Sequence, residues 1–401
     1  MKKQNKRDIL FLCQYFYPEN NSSATLPFDT ACALAAEGYS VSALCGMPKE
    51  YSSKRKAPTR EDVSNVRIHR LRYLQASRKK RFGRLLNFFS FTLRVLFCLP
   101  ELRRHRMLLV YSNPPVLPVA AVLANRLFGT KFVFISYDIY PEIAIEMDSI
   151  SKGGTIDRVM TRINRQVFHR AAAVVALSEE MRTALLRLRP QLAESRVTVL
   201  HNWAHEELSA CDKMTDDILT VGYFGNLGIV QDMDTMLAAM DRLRSNQRIR
   251  FLVVGHGSGF EQFRDRTAAW PNVTVESFLT GEALQKALCA CDCCVVTLRA
   301  GLCGLCMPSK YYSYLQAGTA VISIMEPESE LSMEIVRENI GAAVAPGDVE
   351  DFCRILNSMA DDLPAVRAAG ERAAALYESK YQKKLAMERY TSLIRHMLEE
   401  V

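Results

Sequence analysis

The chain has 401 residues, enough for two domains of ordinary size. Its 49% apolar and 24% charged residues are typical of a folded protein with sizeable cores, which excludes a disordered chain. The formal net charge is +7, but residues 76–106 alone hold nine basic residues against one acidic residue. The basicity therefore belongs to one segment rather than to a nucleic-acid-binding surface.

Targeting and metal-binding signals are weak. No uncharged apolar stretch reaches 18 residues, and the apolar run after the basic N-terminus is too short for a signal peptide, so we expect a cytoplasmic protein. Cys303 and Cys306 have CxxC spacing but lack a second, well-spaced ligand pair. No metal site is predicted.

Strand-like and helix-like runs alternate from the first strand-like run, residues 8–15, onward. This alternation predicts an α/β fold with two doubly wound, Rossmann-like parallel sheets. We expect an N-terminal domain over residues 1–203, a linker over 204–217, a second domain over 218–375 and a C-terminal helix over 376–401 that packs back toward the first domain. A GxGxxG fingerprint for nicotinamide cofactors is absent after the first strand.

Two places in the first domain are candidates for substrate contact. The loop predicted over residues 16–26 carries Ser22, Ser23 and Ala24, which are small enough for close backbone approach but also suit an ordinary loop. Asp138 and Glu142 follow the strand predicted over residues 131–136, where carboxylates can orient a hydroxyl or take its proton. Asp138 is equally suited to cap a helix.

A basic block made of Arg78, Lys79, Lys80 and Arg81 introduces a helix predicted over residues 82–99. Its apolar face includes Phe88 and Phe89. Basic flanks and a Phe/Leu face favour a helix that lies on an anionic membrane surface. The alternative is a core helix with solvated ends.

The second domain has glycines directly after two predicted strands. Gly225 and Asn226 follow the strand over residues 218–224, and Gly255 and Gly257 follow the strand over residues 250–254. Glycine allows close approach of a ligand to the end of a strand. His256 lies between two of these glycines but has no evident second metal ligand.

The stretch over residues 307–318, MPSKYYSYLQAG, follows a buried strand predicted over residues 291–298. Pro308 and Ser309 suit the first turn of a helix, and Gly318 suits its end. Lys310 adds a full charge to the free N–H groups of that turn, so the pattern predicts a phosphate site. An ordinary solvated lysine is the alternative.

These stretches together resemble the GT-B glycosyltransferases of family 4, in particular bacterial enzymes similar to the N-acetyl-L-fucosamine transferase of O-antigen and capsule synthesis. The stretches that carry the resemblance are, in chain order, YFYPENNSSAT, ALAAEGYSV, SYDIYPEIA, LHNW, VGYFGNLG, VVGHGSG, MPSKYYSYLQAGTAVI and IGAAVAPGD. The resemblance implies two Rossmann-like domains that face each other across a cleft. It also implies transfer of an N-acetylated sugar from a UDP-sugar to a lipid-linked or saccharide acceptor, with retention at the anomeric carbon and without a metal or another cofactor.

The resemblance also implies roles for individual residues. Catalysis would involve Asp138, Glu142 and Lys310, with the acceptor near the first two. The donor would be bound by Gly225, Asn226, Gly255, Gly257, Phe278, Arg299, Ser309, Lys310 and Glu330. The partners would be the nucleotide sugar, a lipid-linked glycan and the inner face of the plasma membrane.

The sequence departs from the family pattern in three places. Leu305 and Ser313 stand where many relatives carry paired glutamates, and residues 225–231 contain neither Arg nor Lys. Ser22 and Ser23 replace a glycine pair. Lys310, helped by Arg299, is therefore expected to be the principal diphosphate-binding cation.

Two alternatives stay open at this stage. A nucleotide-sugar epimerase or hydrolase of the same architecture would need no acceptor and no membrane surface. A catalytically degenerate transferase, retained as an assembly partner, would fit the missing glutamate pair.

Overall fold

The computed structural model describes residues 6–48, 57–76, 81–208 and 216–399. The chain forms two compact units. The first comprises Met1–His201, Gly304–Met307 and Lys384–Val401, and the second comprises Asn202–Cys303 and Pro308–Lys383. The C-terminal residues join the first unit through contacts such as the hydrogen bond from the Arg106 guanidinium to the Leu398 carbonyl at 2.9 Å.

The described residues form fourteen strands in two sheets. The first sheet has the order β3-β4-β2-β1-β5-β6-β7-β8 and the second has the order β11-β10-β9-β12-β13-β14. Every pairing is parallel except that of β3 with β4. The strands are β1 (Arg7–Leu12), β2 (Val41–Gly46), β3 (Arg60–Val63), β4 (Val66–Leu71), β5 (His105–Tyr111), β6 (Lys131–Ile135), β7 (Ala173–Ala176), β8 (Val197–Val199), β9 (Leu219–Asn226), β10 (Ile249–His256), β11 (Val273–Ser277), β12 (Cys293–Thr297), β13 (Ala320–Ile324) and β14 (Gly341–Val344).

Helices connect the strands on both sheets. They are α1 (Ser22–Ala36), α2 (Arg81–Phe97), α3 (Leu99–Leu102), α4 (Pro118–Phe128), α5 (Glu142–Glu146), α6 (Thr155–Arg170), α7 (Glu179–Leu188), α8 (Met233–Arg242), α9 (Phe260–Thr267), α10 (Gly281–Cys289), α11 (Lys310–Gln316), α12 (Glu330–Arg337), α13 (Val349–Asp361), α14 (Leu363–Leu376) and α15 (Lys383–Glu399). The predicted α/β class with two parallel sheets is confirmed.

The central strands are apolar because helices cover both faces of each sheet. All six residues of β2 and all five of β12 and β13 are buried. In the first unit, α4 contacts both α2 and α6. These three helices therefore lie side by side in one layer, as right-handed crossovers in a single direction require.

One expectation about local structure is wrong, and two strands were not predicted. Ser22, Ser23 and Ala24 form the first turn of α1 rather than a loop, because Pro27 lies inside the helix and not at its start. Strands β3 and β14 are absent from the prediction because β3 (REDV) is mostly charged and β14 (GAAV) consists mainly of glycine and alanine, which are uncommon in strands. None of the helices in the described ranges is both long and apolar enough to span a bilayer.

Candidate active site

The second sheet opens at the carboxyl end of β9. Strands β9 and β12 pair only at Val221 with Cys293 and at Gly222 with Cys294. Beyond that point the Tyr314 hydroxyl accepts a hydrogen bond from the Phe224 N–H at 3.0 Å and lies 3.3 Å from the Phe224 carbonyl. The Tyr314 side chain thus takes the place of β12 as hydrogen-bond partner for the Phe224 backbone. These bonds hold α11 against the end of β9.

Lys310, the first residue of α11, reaches the same strand end. Its Nζ donates a hydrogen bond to the Tyr223 hydroxyl at 2.7 Å and lies 4.0 Å from the centroid of that ring. The Tyr223 hydroxyl in turn donates to the Asn226 carbonyl at 2.7 Å. A Cβ atom added at Gly225 would lie 3.4 Å from Lys310 Cε and 3.5 Å from its Nζ. The structure therefore brings the predicted cation, Gly225 and Asn226 together within one unit.

The Lys310 ammonium is poorly compensated. Burial lowers the pKa of Lys310 to about 7. No described carboxylate lies within ion-pair distance of it, and one acceptor, the Tyr223 hydroxyl, serves its three N–H donors. Such a group gains from an incoming anion, because the anion restores the interactions that burial removes.

The glycines at the strand ends have two different roles. Gly225 has a φ of +127° and faces Lys310. A side chain at Gly255 would overlap the Gly225 carbonyl, and one at Gly257 would overlap the Asn226 amide oxygen. Gly255 and Gly257 therefore let the loops after β9 and β10 pack against each other, so their predicted direct approach to the donor stays a prediction.

An aromatic pair borders this strand end. The Phe278 ring follows β11, is 44% exposed and stacks on His256 with ring centroids 5.0 Å apart. Burial and the Lys310 charge both lower the pKa of His256. The pair offers a flat, neutral surface near the lysine.

Three other predicted donor residues surround the same edge of the sheet. Arg299 is exposed, and its N–H donates to the Val230 carbonyl at 2.9 Å, which fixes the loop after β9. Glu330 is the first residue of α12, directly after β13 and its turn. Ser309 does not cap α11 through its side chain, and α11 has only seven residues. The expected serine cap is wrong, and the positive charge comes from Lys310 rather than from a long helix dipole.

In the first unit, Asp138 lies at the carboxyl end of β6. The Ser112 hydroxyl accepts hydrogen bonds from the N–H groups of Tyr137 at 3.0 Å and Asp138 at 3.1 Å. Asp138 also forms a backbone bridge with Cys306. Asp138 lines a small cavity with Ser136 and Asn164, and burial raises the pKa of its carboxyl group to about 6. It caps no helix, since Pro141 is the residue that precedes α5.

Glu142 has a different environment. Both of its carboxylate oxygens accept hydrogen bonds from Arg189 at 2.6 Å. Arg189 also donates to the Tyr140 carbonyl at 2.9 Å, lies over the Phe168 ring at 5.5 Å and is buried. This pairing fixes the turn after Asp138 and uses both oxygens of Glu142.

Helix α2 is apolar on two sides: Phe91 and Val95 are fully buried, and a second apolar stripe is exposed. Its exposed side includes Leu85, Phe89, Leu93 and Phe97, which recur every four residues, and Phe97 is 72% exposed. The inward side carries Asn87, whose amide pairs with the backbone of Ala76 at 2.7 and 3.0 Å. Phe88 is half-buried. Arg78, Lys79 and Lys80 lie outside the described residues, and Arg81 is the first residue of α2.

Sequence reasoning missed the residues that orient these groups. Tyr223 and Tyr314 are buried hydroxyl-bearing side chains, which normally have a hydrogen-bond partner. That rule predicts that each hydroxyl makes a hydrogen bond, but it does not identify the partner. The partnership of Arg189 with Glu142 spans 47 residues and leaves no local pattern. Within the described ranges, no group of three or more His, Cys, Asp or Glu side chains is arranged to hold a metal ion.

Comparison with known proteins gives the same two-part division. Residues 28–203 match the glycosyl transferase 4-like domain, and residues 218–362 match the domain of glycosyl transferases group 1. The chain is 24% identical over 311 residues to the probable glycosyltransferase WbjE of Pseudomonas aeruginosa, covering 74% of this chain and 76% of the relative. It is 24% identical over 287 residues to the putative colanic acid biosynthesis glycosyl transferase WcaI of Escherichia coli K12, covering 67% and 70%.

Solved structures share the fold across nearly the whole chain. The sucrose-phosphate synthase of Thermosynechococcus elongatus aligns with a TM-score of 0.75 and 16% identity over 99% of this chain and all of that one. HepE of Anabaena, solved in complex with UDP-glucose, aligns with a TM-score of 0.69 and 15% identity over 98% of this chain and all of that one. With both glycosyltransferase domains present and both sheets aligned, the chain is a glycosyltransferase with the GT-B fold.

Proposed function

We propose that this enzyme transfers a sugar from a UDP-sugar to a lipid-linked or saccharide acceptor in the synthesis of a bacterial surface polysaccharide. The observation that carries the proposal is the position of Lys310, against Gly225 and without a carboxylate partner among the described residues. An anion of the size of a diphosphate meets both the cation and the glycine backbone there. The UDP-glucose bound by HepE and the colanic acid pathway in the name of WcaI support the donor and the product class.

The chemistry follows from where charge develops. The leaving diphosphate gains negative charge as the bond to the anomeric carbon breaks, so a cation placed there stabilises the transition state more than the bound substrate. Lys310 supplies that cation, and the Arg299 guanidinium, 3.4 Å from the Ile229 carbonyl in the loop after β9, adds a second. The Phe278–His256 pair supplies a surface on which a nucleobase can stack. An N-acetylated donor, retention at the anomeric carbon and independence from metal ions remain proposals based on the family resemblance.

Asp138 is the residue that we propose for the acceptor. Its carboxylate has no partner among the described side chains, and a pKa of about 6 makes it a base at neutral pH. Glu142 then supports the turn through Arg189 rather than taking part in proton transfer.

The exposed apolar stripe of α2 supports a membrane-bound acceptor. A helix that exposes leucines and phenylalanines, follows three basic residues in the sequence and begins with a fourth suits the interface of an anionic bilayer. We propose that α2 holds the enzyme at the cytoplasmic face of the plasma membrane, where lipid-linked glycans are accessible.

A transfer assay tests the proposal. The full chain is incubated with UDP-, GDP- and dTDP-sugars and a lipid extract from bacterial membranes, and products are detected by mass spectrometry. We expect a UDP-sugar to add one sugar mass to a lipid-linked glycan, and Lys310→Met to abolish the addition without unfolding the protein. Epimer or free sugar formed rapidly without acceptor would assign an epimerase or hydrolase. Saturable UDP-sugar binding without transfer to any extract would assign a degenerate transferase.

A further inference from the structure

Basic residues outnumber acidic ones on three helices of one layer. Helices α2, α4 and α6 together carry eight basic residues and one acidic residue, a net charge of +7. The whole chain, with 51 basic and 44 acidic residues, also has a net charge of +7, so the remaining 43 basic and 43 acidic residues cancel. The charged residues of the three helices are Arg81, Arg84, Arg94, Arg126, Asp157, Arg158, Arg162, Arg165 and Arg170.

The same layer exposes apolar side chains on each of its helices. The Leu85–Phe97 stripe of α2 is accompanied by Leu127 of α4, which is 63% exposed. On α6, Ile156 and Val159 are 44% and 50% exposed. Exposed apolar side chains that recur across adjacent helices indicate a binding surface rather than isolated surface residues.

Three of the four arginines of α6 are exposed. Arg158, Arg162 and Arg165 follow one side of the helix at intervals of three or four residues, and the Arg158 Nε donates a hydrogen bond to the Gly153 carbonyl at 2.9 Å. In the described part of the chain, no carboxylate lies within ion-pair distance of any of them. Asp157 is engaged locally by the Gly153 N–H at 2.7 Å and the Thr161 hydroxyl at 3.1 Å.

We propose that α6 is a second membrane-binding element, which contacts an anionic bilayer together with α2 and α4. The arginines meet lipid phosphates, while Ile156 and Val159 enter the boundary between headgroups and acyl chains. The inference rests on the membrane-bound transfer proposed above and extends it from one helix to a layer. Charge complementarity selects the partner, since exposed arginines interleaved with exposed apolar side chains on α6 fit anionic lipid.

Helix α12 provides an internal comparison. Met333 and Val336 have the same three-residue spacing as Ile156 and Val159 and are 52% and 54% exposed. Helix α12, however, carries two glutamates and one arginine. If exposure alone determined binding, this pair would contribute as much as the pair on α6; the charge argument predicts that it contributes nothing.

The test measures cosedimentation of the full chain with vesicles. Vesicles contain phosphatidylcholine alone or with 30% phosphatidylglycerol, and the variants are the α6 pair I156S/V159S, the α6 pair R162Q/R165Q and the control pair M333S/V336S. We expect binding only to the anionic vesicles, at least a fivefold loss of affinity for each α6 pair, and wild-type affinity for the control. Raising the salt from 0.1 to 0.5 M should weaken binding of the wild type, because surface charges are screened.

Several outcomes would overturn the inference. Wild-type affinity in both α6 variants, with loss only in F89S/L93S, would restrict the contact to α2. A sedimentation-velocity dimer that the α6 substitutions dissociate would make this layer an interface between copies of the chain. UDP binding is measured on the same variants by calorimetry: unchanged UDP affinity combined with lost vesicle binding separates failure of the membrane contact from failure of the donor site.

Discussion

Binding of the donor should be coupled to proton uptake at Lys310. Burial lowers the pKa of this side chain to about 7, so in the empty enzyme about half of the ammonium groups are neutral at pH 7 and about nine-tenths at pH 8. A diphosphate beside the lysine favours the charged form. Each molecule of UDP bound at pH 8 should therefore take up about 0.9 proton through this residue.

The size of the coupling follows from the electrostatics of the site. Two unit charges about 4 Å apart interact by about 4 kcal/mol at an effective dielectric constant of 20. This energy corresponds to about a thousandfold preference of the diphosphate for the charged lysine. The affinity for UDP should therefore fall about tenfold for each pH unit above 7, and the fall should continue to at least pH 9.

Calorimetry measures the proton directly. UDP is titrated into the enzyme at pH 8 in buffers with different ionisation enthalpies, and the slope of observed enthalpy against buffer enthalpy gives the number of protons taken up. The terminal phosphate of UDP, with a pKa near 6, is already ionised at that pH. Lys310→Arg keeps a permanent charge and should show no uptake, while Lys310→Met should bind UDP weakly at every pH.

A wild-type slope of zero at pH 8, together with a dissociation constant that stays constant from pH 7 to 9, would refute the reasoning. It would mean that Lys310 is charged in the empty enzyme, and that the Tyr223 hydroxyl and ring offset the cost of its burial. A normal slope in Lys310→Met would assign the proton to another group.

Three further predictions concern the residues around the two candidate sites. Tyr223→Phe removes the acceptor of the Lys310 ammonium and should lower kcat/KM about tenfold or more. The control is Tyr312→Phe, which removes a tyrosine hydroxyl from α11 and should leave steady-state kinetics unchanged. Asp138 should give the pH–rate profile an acidic limb near pH 6, because the carboxylate with this raised pKa is protonated below that pH. Asp138→Asn should remove the limb and lower kcat about 100-fold or more. An unchanged limb in this variant would contradict the role of Asp138 as the base. Arg189→Met leaves Glu142 without its partner and should lower the free energy of unfolding by about 3 kcal/mol in urea denaturation, with partial recovery when Glu142→Gln is added.

The position of Lys310 beside Gly225 was predictable from chain order. Both residues follow buried strands of one parallel series, and the carboxyl ends of parallel strands lie at the same edge of a sheet. The residue types of α2 predicted its apolar side, but they did not predict whether that side faces the core or the solvent. A leucine stripe faces a core in most helices, but in α2 the core side is taken by Phe91, Val95 and the paired Asn87, and the stripe lies outside.

The sequence by itself determined the two α/β sheets, the glycosyltransferase resemblance and the cation at the start of α11, because each depends on local pattern and on the order of elements. Tertiary structure decided which groups hold those residues. Tyr223 orients Lys310, Arg189 pairs with Glu142, and Gly255 and Gly257 allow the chain segments at the ends of β9 and β10 to pack closely. These partners are distant along the chain, and a hydrogen bond or a van der Waals contact depends on distance in space, which no local pattern of residues specifies.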